Sequence, residues 1–377
     1  MKHLVLLGAG HAHVQVLARR AELTRQGVLP PQITLITPYP RQLYSGMVPG
    51  FVAGHYTLPA CTIALEPLLA GSPVRHLPQA VVALDAAAGT VTLDDGRDIA
   101  FDLLSVNTGA VQDRQQLEAA LPGVREHGLF VRPIEAFGAL WPRVVERAQG
   151  LALRLTVVGG GAAGIELAMA ARHRLPGASV TLLAGASGAA AHYPDRVRQQ
   201  VARALQRRGI TVLARDAAGF GPGEIHLAGG GRLACDVPLI ATGAQAPAWL
   251  RGSGLALDAQ GFLAVDACLR STSHPQVFAA GDVSSRSDRP LPRSGVYAVR
   301  AGAALLKNLS AALSGQPPTP HQPPRHTLNL LSCGDGEAIL SWGTWSASGR
   351  WAWWLKDRID RGFVRRYQGP RPPSRPA

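Results

Sequence analysis

One local plan occurs twice in this chain, and that repetition restricts the fold more than any other feature. The apolar run at residues 4–7 is followed by Gly8-Ala9-Gly10-His11-Ala12-His13, a helical pattern from Ala12 to about Gln26, and a second apolar run, Ile33-Thr34-Leu35-Ile36. The same order returns at residues 155–158, then Gly159-Gly160-Gly161-Ala162-Ala163-Gly164, a helix through Ile165-Glu166-Leu167-Ala168, and Val180-Thr181-Leu182-Leu183. Each copy is strand, glycine turn, helix, strand, a βαβ unit that requires parallel pairing. In such a turn the first glycine reverses the chain and the second admits a pyrophosphate close to the backbone. The third lets helix and strand pack, and the helix N-terminus offers unpaired N–H groups to phosphate.

The repeat continues beyond the turns. Gly96-Arg97-Asp98-Ile99-Ala100-Phe101-Asp102 leads into an apolar run and Asn107-Thr108-Gly109-Ala110; Gly231-Arg232-Leu233-Ala234-Cys235-Asp236 leads into another and Thr242-Gly243-Ala244. A Thr-Gly at the carboxyl end of a parallel strand lies where open α/β sheets bind ligands. A third short strand, Val277-Phe278-Ala279, ends in Ala280-Gly281-Asp282, which reads either as a strand-ending turn or as an acid that accepts hydrogen bonds from a cofactor's sugar-alcohol hydroxyls. The reading is α/β: two Rossmann-type dinucleotide-binding domains from a duplication.

Composition agrees. At 377 residues two or three domains are expected, and 46% apolar against 17% charged residues excludes disorder as the main state. The formal net charge of +13, carried almost wholly by arginine, favours anionic partners. No zinc module, RNA-binding aromatic pair or helix-turn-helix pattern supports nucleic acid. Cys61, Cys235, Cys268 and Cys333 lie far apart, so neither a metal site nor a disulfide framework is expected. No apolar run is long enough to span a membrane, and the apolar start reads as a buried first strand rather than a signal peptide.

These motifs together resemble the pyridine nucleotide-disulfide oxidoreductase superfamily, in its glutathione-reductase-like architecture. The segments Gly10-His11-Ala12-His13-Val14, Tyr44-Ser45-Gly46-Met47-Val48-Pro49-Gly50 and Trp354-Leu355-Lys356-Asp357-Arg358-Ile359-Asp360 resemble its branch related to type II NADH:quinone dehydrogenases and linked to selenophosphate synthetase. The resemblance implies an FAD-binding domain in two parts (1–115 and 262–315), an inserted NAD(P)H-binding domain (116–261) and a C-terminal hairpin and basic amphipathic helix (326–377). It implies that Gly8, Gly10 and the amides near His11 and Ala12 cradle the FAD pyrophosphate, that Thr108 and Gly109 pass close to FAD, and that Asp282, after Gly281, holds its ribityl chain or the adjacent phosphate. A helix starting at residues 295–300, with Tyr297 and Ala298, would face the flavin. Gly159, Gly161 and Gly164 would approach the pyrophosphate of NAD(P)H, and Glu166 would stand near the nicotinamide–flavin contact as the candidate catalytic residue. The implied activity is hydride transfer from NAD(P)H to flavin, then electrons to an acceptor, a quinone. The alternatives are oxidation of sulfide or another chalcogen through Cys333, and a non-turnover FAD-binding partner in selenium metabolism.

The chain departs from the pattern in places. His13 replaces the third glycine of the first motif, which sets the first helix further from its strand. Neither second strand ends in the acid that usually binds ribose hydroxyls: they end in Thr37-Pro38 and Ala184-Gly185, and Arg41 is the nearest charge to the first site. No cysteine pair follows the first helix, where residues 44–50 stand instead, so thiol–disulfide chemistry is not expected. His11, His13 and His55 read as structural.

After a proline-rich linker at 315–325, two strands at 327–332 and 337–341 are expected, then a helix over 351–367. Trp351, Leu355, Ile359, Phe363 and Tyr367 recur every fourth residue on it, and residues 350–377 carry a net charge of +6. Such a helix can lie in a membrane interface or pack on the core. The expected location is cytoplasmic, either free or peripheral on the inner face of the cytoplasmic membrane; residues 369–377 read as disordered.

Overall fold

The computed structural model describes residues 2–23 and 31–368; the expected disorder at 369–377 and the expected helix end at Gln26 fall outside them. Ten strands make two parallel sheets. In chain order they are β1 (His3–Leu7), β2 (Gln32–Ile36), β3 (Arg75–Leu77), β4 (Leu103–Val106), β5 (Leu129–Phe130), β6 (Arg154–Val158), β7 (Ser179–Leu183), β8 (Thr211–Leu213), β9 (Val237–Ile240) and β10 (Val277–Ala279). The first sheet has the order β10-β4-β1-β2-β3 and the second β5-β9-β6-β7-β8. Matching the glycine motifs pairs β1 with β6, β2 with β7, β3 with β8 and β4 with β9, so the two sheets share one strand order. Each is preceded at its fourth strand by a three-stranded antiparallel sheet, at residues 81–100 and 217–234. The chain leaves the first sheet after β4 and returns to it at β10; the outgoing and returning segments pair with each other at Val111 and Gln245.

Residues 4–7 are continuously apolar because both faces of β1 are covered. Leu4 and Leu6 pack with Leu305 and Leu309, while Val5 and Leu7 pack with Val91 and Leu93. The helix after the first glycine turn, α1 (His11–Ala18), is shorter than its pattern implied. Arg20 donates to Leu17 O and Leu68 O, capturing the last turn, and a short 3-10 turn follows at Arg20–Leu23. The second copy's helix, α2 (Ala162–Arg174), lies closely on β6 and β7, whereas α1 packs chiefly on α3 (Gly295–Leu313).

The C-terminal segment has a third strand that the pattern did not reveal. Asn329–Ser332, Ala338–Trp342 and Trp345–Gly349 form one antiparallel sheet, with Trp342 paired to Trp345 across a two-residue turn in which Gly343 has φ +57°. Helix α4 (Arg350–Tyr367) follows. Its fourth-residue stripe does not share one face: Trp351 and Ile359 are exposed, and Phe363 and Tyr367 are buried. Four residues turn a helix by about 40° beyond a full circle, so the stripe winds from solvent into the core along α4. Among the described residues, no helix is long and apolar enough to cross a membrane.

Candidate active site

A cleft of about 570 Å³ opens at the carboxyl ends of the first sheet's strands, within the usual range for small-molecule sites. It brings together most of the residues singled out for the FAD site: Gly8, Gly10, His11, Arg41, Thr108, Gly109, Gly281, Asp282 and Ala298 all line it. The N-termini of α1 and α3 both meet it, through His11 and through Gly295 and Ala298. Two helix starts with their partial positive charge suit a pyrophosphate and an electron-rich ring. Tyr297 lies instead in a small adjoining recess that shares Gly281 and Asp282 with the cleft.

Ala12 does not line the cleft. Its amide, like that of His13, donates to Asn107 Oδ1 at 3.1 Å, while Asn107 Nδ2 donates to Ala280 O. One buried side chain therefore caps α1, ties it to β4, and holds the turn that carries Asp282. The N–H groups of Ala9 and His11 have no protein partner among the described residues and remain for phosphate. Gly10 is needed for this packing, because a Cβ there would collide with Asn107. A Cβ on Gly281, at φ +78°, would stand 2.9 Å from Asn107 Nδ2. His13 fits without a third glycine because its ring bonds Gly8 O at 2.6 Å and Ser105 Oγ at 2.8 Å; burial lowers its pKa to about 4, so it is a neutral bridge.

Arg132 is a contributor that the sequence pattern did not reveal. It donates to Ala110 O at 3.0 Å and lies 3.4 Å from Asp282 Oδ2, placing a cation beside the acid. FAD fits this cleft on an independent observation: Gln42 Oε1 and Gln79 Oε1 are buried acceptors without a donor, and both residues line it. Such orphaned acceptors are costly until a ligand or water donates to them.

The second glycine turn is built more tightly. Gly159 has φ +134°, and a Cβ on Gly164 would collide with Gly159 O, so α2 rests directly on the turn. Gly161 has no atom within 4 Å of where its Cβ would be, leaving the approach a dinucleotide needs. Thr242 Oγ1, at the second Thr-Gly, is buried without a partner.

Glu166, on α2, reaches the junction of three segments. Its Oε1 accepts from Ser332 N at 2.7 Å, and burial raises its pKa to about 7 against the opposing pull of Lys356. Lys356 Nζ donates to Asp360 Oδ2 and to Gly46 O, both at 2.8 Å. Its direct ionic partner is Asp360, which is why Glu166 remains dominated by desolvation. Gly46 adjoins Ser45, whose Oγ is 3.4 Å from His11 Nε2, and Tyr44 stacks on Phe363 with ring centres 4.7 Å apart. His11 packs edge-on against Tyr44 and has its pKa lowered to about 4, mainly by burial. The charged junction thus adjoins the cleft through residues 44–46. His55 bonds Gly334 O at 2.8 Å and serves structure. The four cysteines are free, and burial pushes the Cys333 thiol up to about 12, far from a reactive thiolate.

Residues 2–302 match the family model described as pyridine nucleotide-disulphide oxidoreductase. An NADH dehydrogenase-like protein of Mycobacterium tuberculosis is 29% identical over 308 residues, 76% of this chain and 73% of that protein. A demethylphylloquinone reductase of Synechocystis is 26% identical over 359 residues, 90% of this chain and 86% of that one. In fold, a sulfide:quinone oxidoreductase of Aquifex aeolicus superposes with a TM-score of 0.79 at 17% identity, over 98% of this chain and 92% of that one. With the doubled βαβ architecture and the cleft between two helix starts, these findings establish that the chain belongs to the pyridine nucleotide-disulphide oxidoreductase family and is a flavin-dependent oxidoreductase of nicotinamide nucleotides.

Proposed function

We propose that this protein is an FAD-dependent NAD(P)H:quinone reductase. FAD, when bound, would supply the two-electron chemistry that links the reduced nicotinamide to the acceptor. The observation that carries the acceptor is the junction of Glu166, Lys356 and Asp360 against residues 44–46. Reducing a quinone to a quinol consumes two electrons and two protons, and a hydride brings only one proton. A carboxyl with a pKa of about 7 can hold and release the other near neutral pH. Lys356, fixed by Gly46 O and Asp360, supplies positive charge where a quinone oxygen gains negative charge. On the cofactor side, Gly8, Gly10 and the amides of Ala9 and His11 would hold the FAD pyrophosphate, with Arg41 lining the same cleft. Asp282 and Arg132, beside Thr108 and Gly109, would hold the ribityl chain. Gly159, Gly161 and Gly164 receive the nicotinamide cofactor.

Quinones partition into bilayers, and the C-terminal segment carries a surface suited to that source. Trp342 and Trp345 on the strands and Trp351 and Trp354 on α4 are each more than half exposed, and Arg350, Arg358, Arg365 and Arg366 are exposed on α4. Aromatic rings at headgroup depth with flanking cations favour an anionic membrane surface. A link to selenophosphate synthetase rests on the motif resemblance. The experiment is anaerobic: NADH or NADPH should bleach the flavin, and a soluble quinone should restore its colour at a catalytic rate. Sedimentation with anionic vesicles should carry the protein down, and Trp345→Ser with Trp354→Ser should reduce that binding. Flavin that neither nucleotide bleaches would defeat the reading.

A further inference from the structure

The second dinucleotide site lacks an acid at the end of β7, where ribose recognition usually resides. The structure explains why none stands there. Ala184 is buried, with its amide bonded to Leu213 O, so a carboxylate in its place would be desolvated. Gly185 has φ +76°, a left-handed conformation that favours glycine. Both positions are closed to an acid.

Asp216 follows β8 by three residues and lies against Gly185. A Cβ on Gly185 would stand 3.0 Å from Asp216 Oδ1, and the same oxygen accepts from Ala186 N at 3.2 Å. Gly185 N in turn donates to Arg215 O at 3.1 Å, clamping the two strand ends together. The loop that Asp216 supports abuts the glycine turn: a Cβ on Gly160 would collide with Ala184 O, and Ala190 N donates to Gly160 O at 2.9 Å. Asp216 is exposed, and its Oδ2 has no partner among the described residues.

The geometry points to Asp216 as the residue that selects NADH over NADPH, by accepting hydrogen bonds from the adenosine ribose hydroxyls and repelling a 2′-phosphate. This rests on the reading of the second glycine turn as the nicotinamide-nucleotide site. The adjacent cation does not offset the carboxylate. Arg215 Nη2 donates to Ala228 O and Gly230 O, both at 2.6 Å, which commits its guanidinium to the 228–230 turn.

The test is calorimetric titration of FAD-loaded protein with ADP-ribose and with 2′-phospho-ADP-ribose, which reports binding without turnover. The wild type should bind ADP-ribose at least about tenfold more tightly, the scale of one hydrogen bond to a charged group. Asp216→Asn keeps an acceptor for Ala186 N and removes the charge, so it should narrow the gap by about tenfold, through stronger binding of the 2′-phosphorylated ligand. Asp216→Ala should weaken ADP-ribose binding as well. If the wild type prefers the 2′-phosphorylated ligand, with Arg215 released to meet it, the assignment is wrong. It is equally wrong if both ligands bind and Asp216→Asn leaves their ratio unchanged. If neither ligand binds the FAD-loaded protein, the nucleotide reading of the second turn falls, and the assignment with it.

Discussion

Replacing Asn107 with alanine removes the side chain on which the first glycine turn is built. Asn107 is 3% exposed and satisfies three backbone groups: the amides of Ala12 and His13 and the carbonyl of Ala280. Loss of a helix cap costs about 0.5–2 kcal/mol, and a buried carbonyl left without a donor costs about 1–3 kcal/mol. Water entering the vacated space recovers part of this, so Asn107→Ala should destabilise the first unit by about 2–4 kcal/mol. That is a large share of the roughly 5–15 kcal/mol of stability usual for a domain. The assay is urea unfolding of the FAD-free protein followed by circular dichroism, with FAD affinity measured separately by flavin fluorescence. Affinity should fall as well, because the α1 start and the Gly281-Asp282 turn lose their common anchor. A stability change below about 1 kcal/mol, with FAD affinity unaltered, would refute the argument that this side chain organises the cradle.

Two further substitutions probe the site. Asp282→Ala should leave much of the protein without FAD after purification, since the acid and its Arg132 partner line the cleft together; full flavin occupancy would show that the residue is misassigned. Glu166→Gln should alter the pH dependence of stability. The folded pKa of about 7 exceeds the unfolded value of 4.5, so the native state retains a proton that the unfolded state has lost. Glu166 therefore makes stability fall as pH rises from about 4.5 to about 7, by on the order of 1–2 kcal/mol once its partial exposure is allowed for. In urea midpoints at pH 5 and pH 8 the glutamine variant should lose that contribution, and an unchanged difference would contradict the raised pKa.

The doubled βαβ plan was legible because its signals are local: apolar runs, glycine spacing and helical periodicity all lie within about 30 residues. The shared strand order of the two sheets and the convergence of Gly8, His11, Thr108 and Asp282 followed from it. The residues that organise the site were less legible, because they act across the sheet. Asn107 bonds amides 95 and 94 positions away, and Lys356 reaches back 310 positions to Gly46. One signal was present. Asn107 occupies the place that Ala241 has in the second copy, and His13 the place of Gly164, so the first copy exchanged small residues for polar ones in touching positions. The third C-terminal strand was hidden because its turn is only two residues long. The winding of the α4 stripe was hidden because a four-residue spacing looks constant in sequence while it rotates in space.

The central claim is that the first cleft holds a flavin that the nicotinamide nucleotide of the second unit can reduce. The most direct measurement is the visible spectrum of the purified, FAD-reconstituted protein during anaerobic addition of NADH. The account predicts a bound-flavin band that bleaches within the time of a catalytic turnover and returns when a quinone is added. Protein that stays colourless after reconstitution, or a flavin band that persists with both NADH and NADPH, would contradict it.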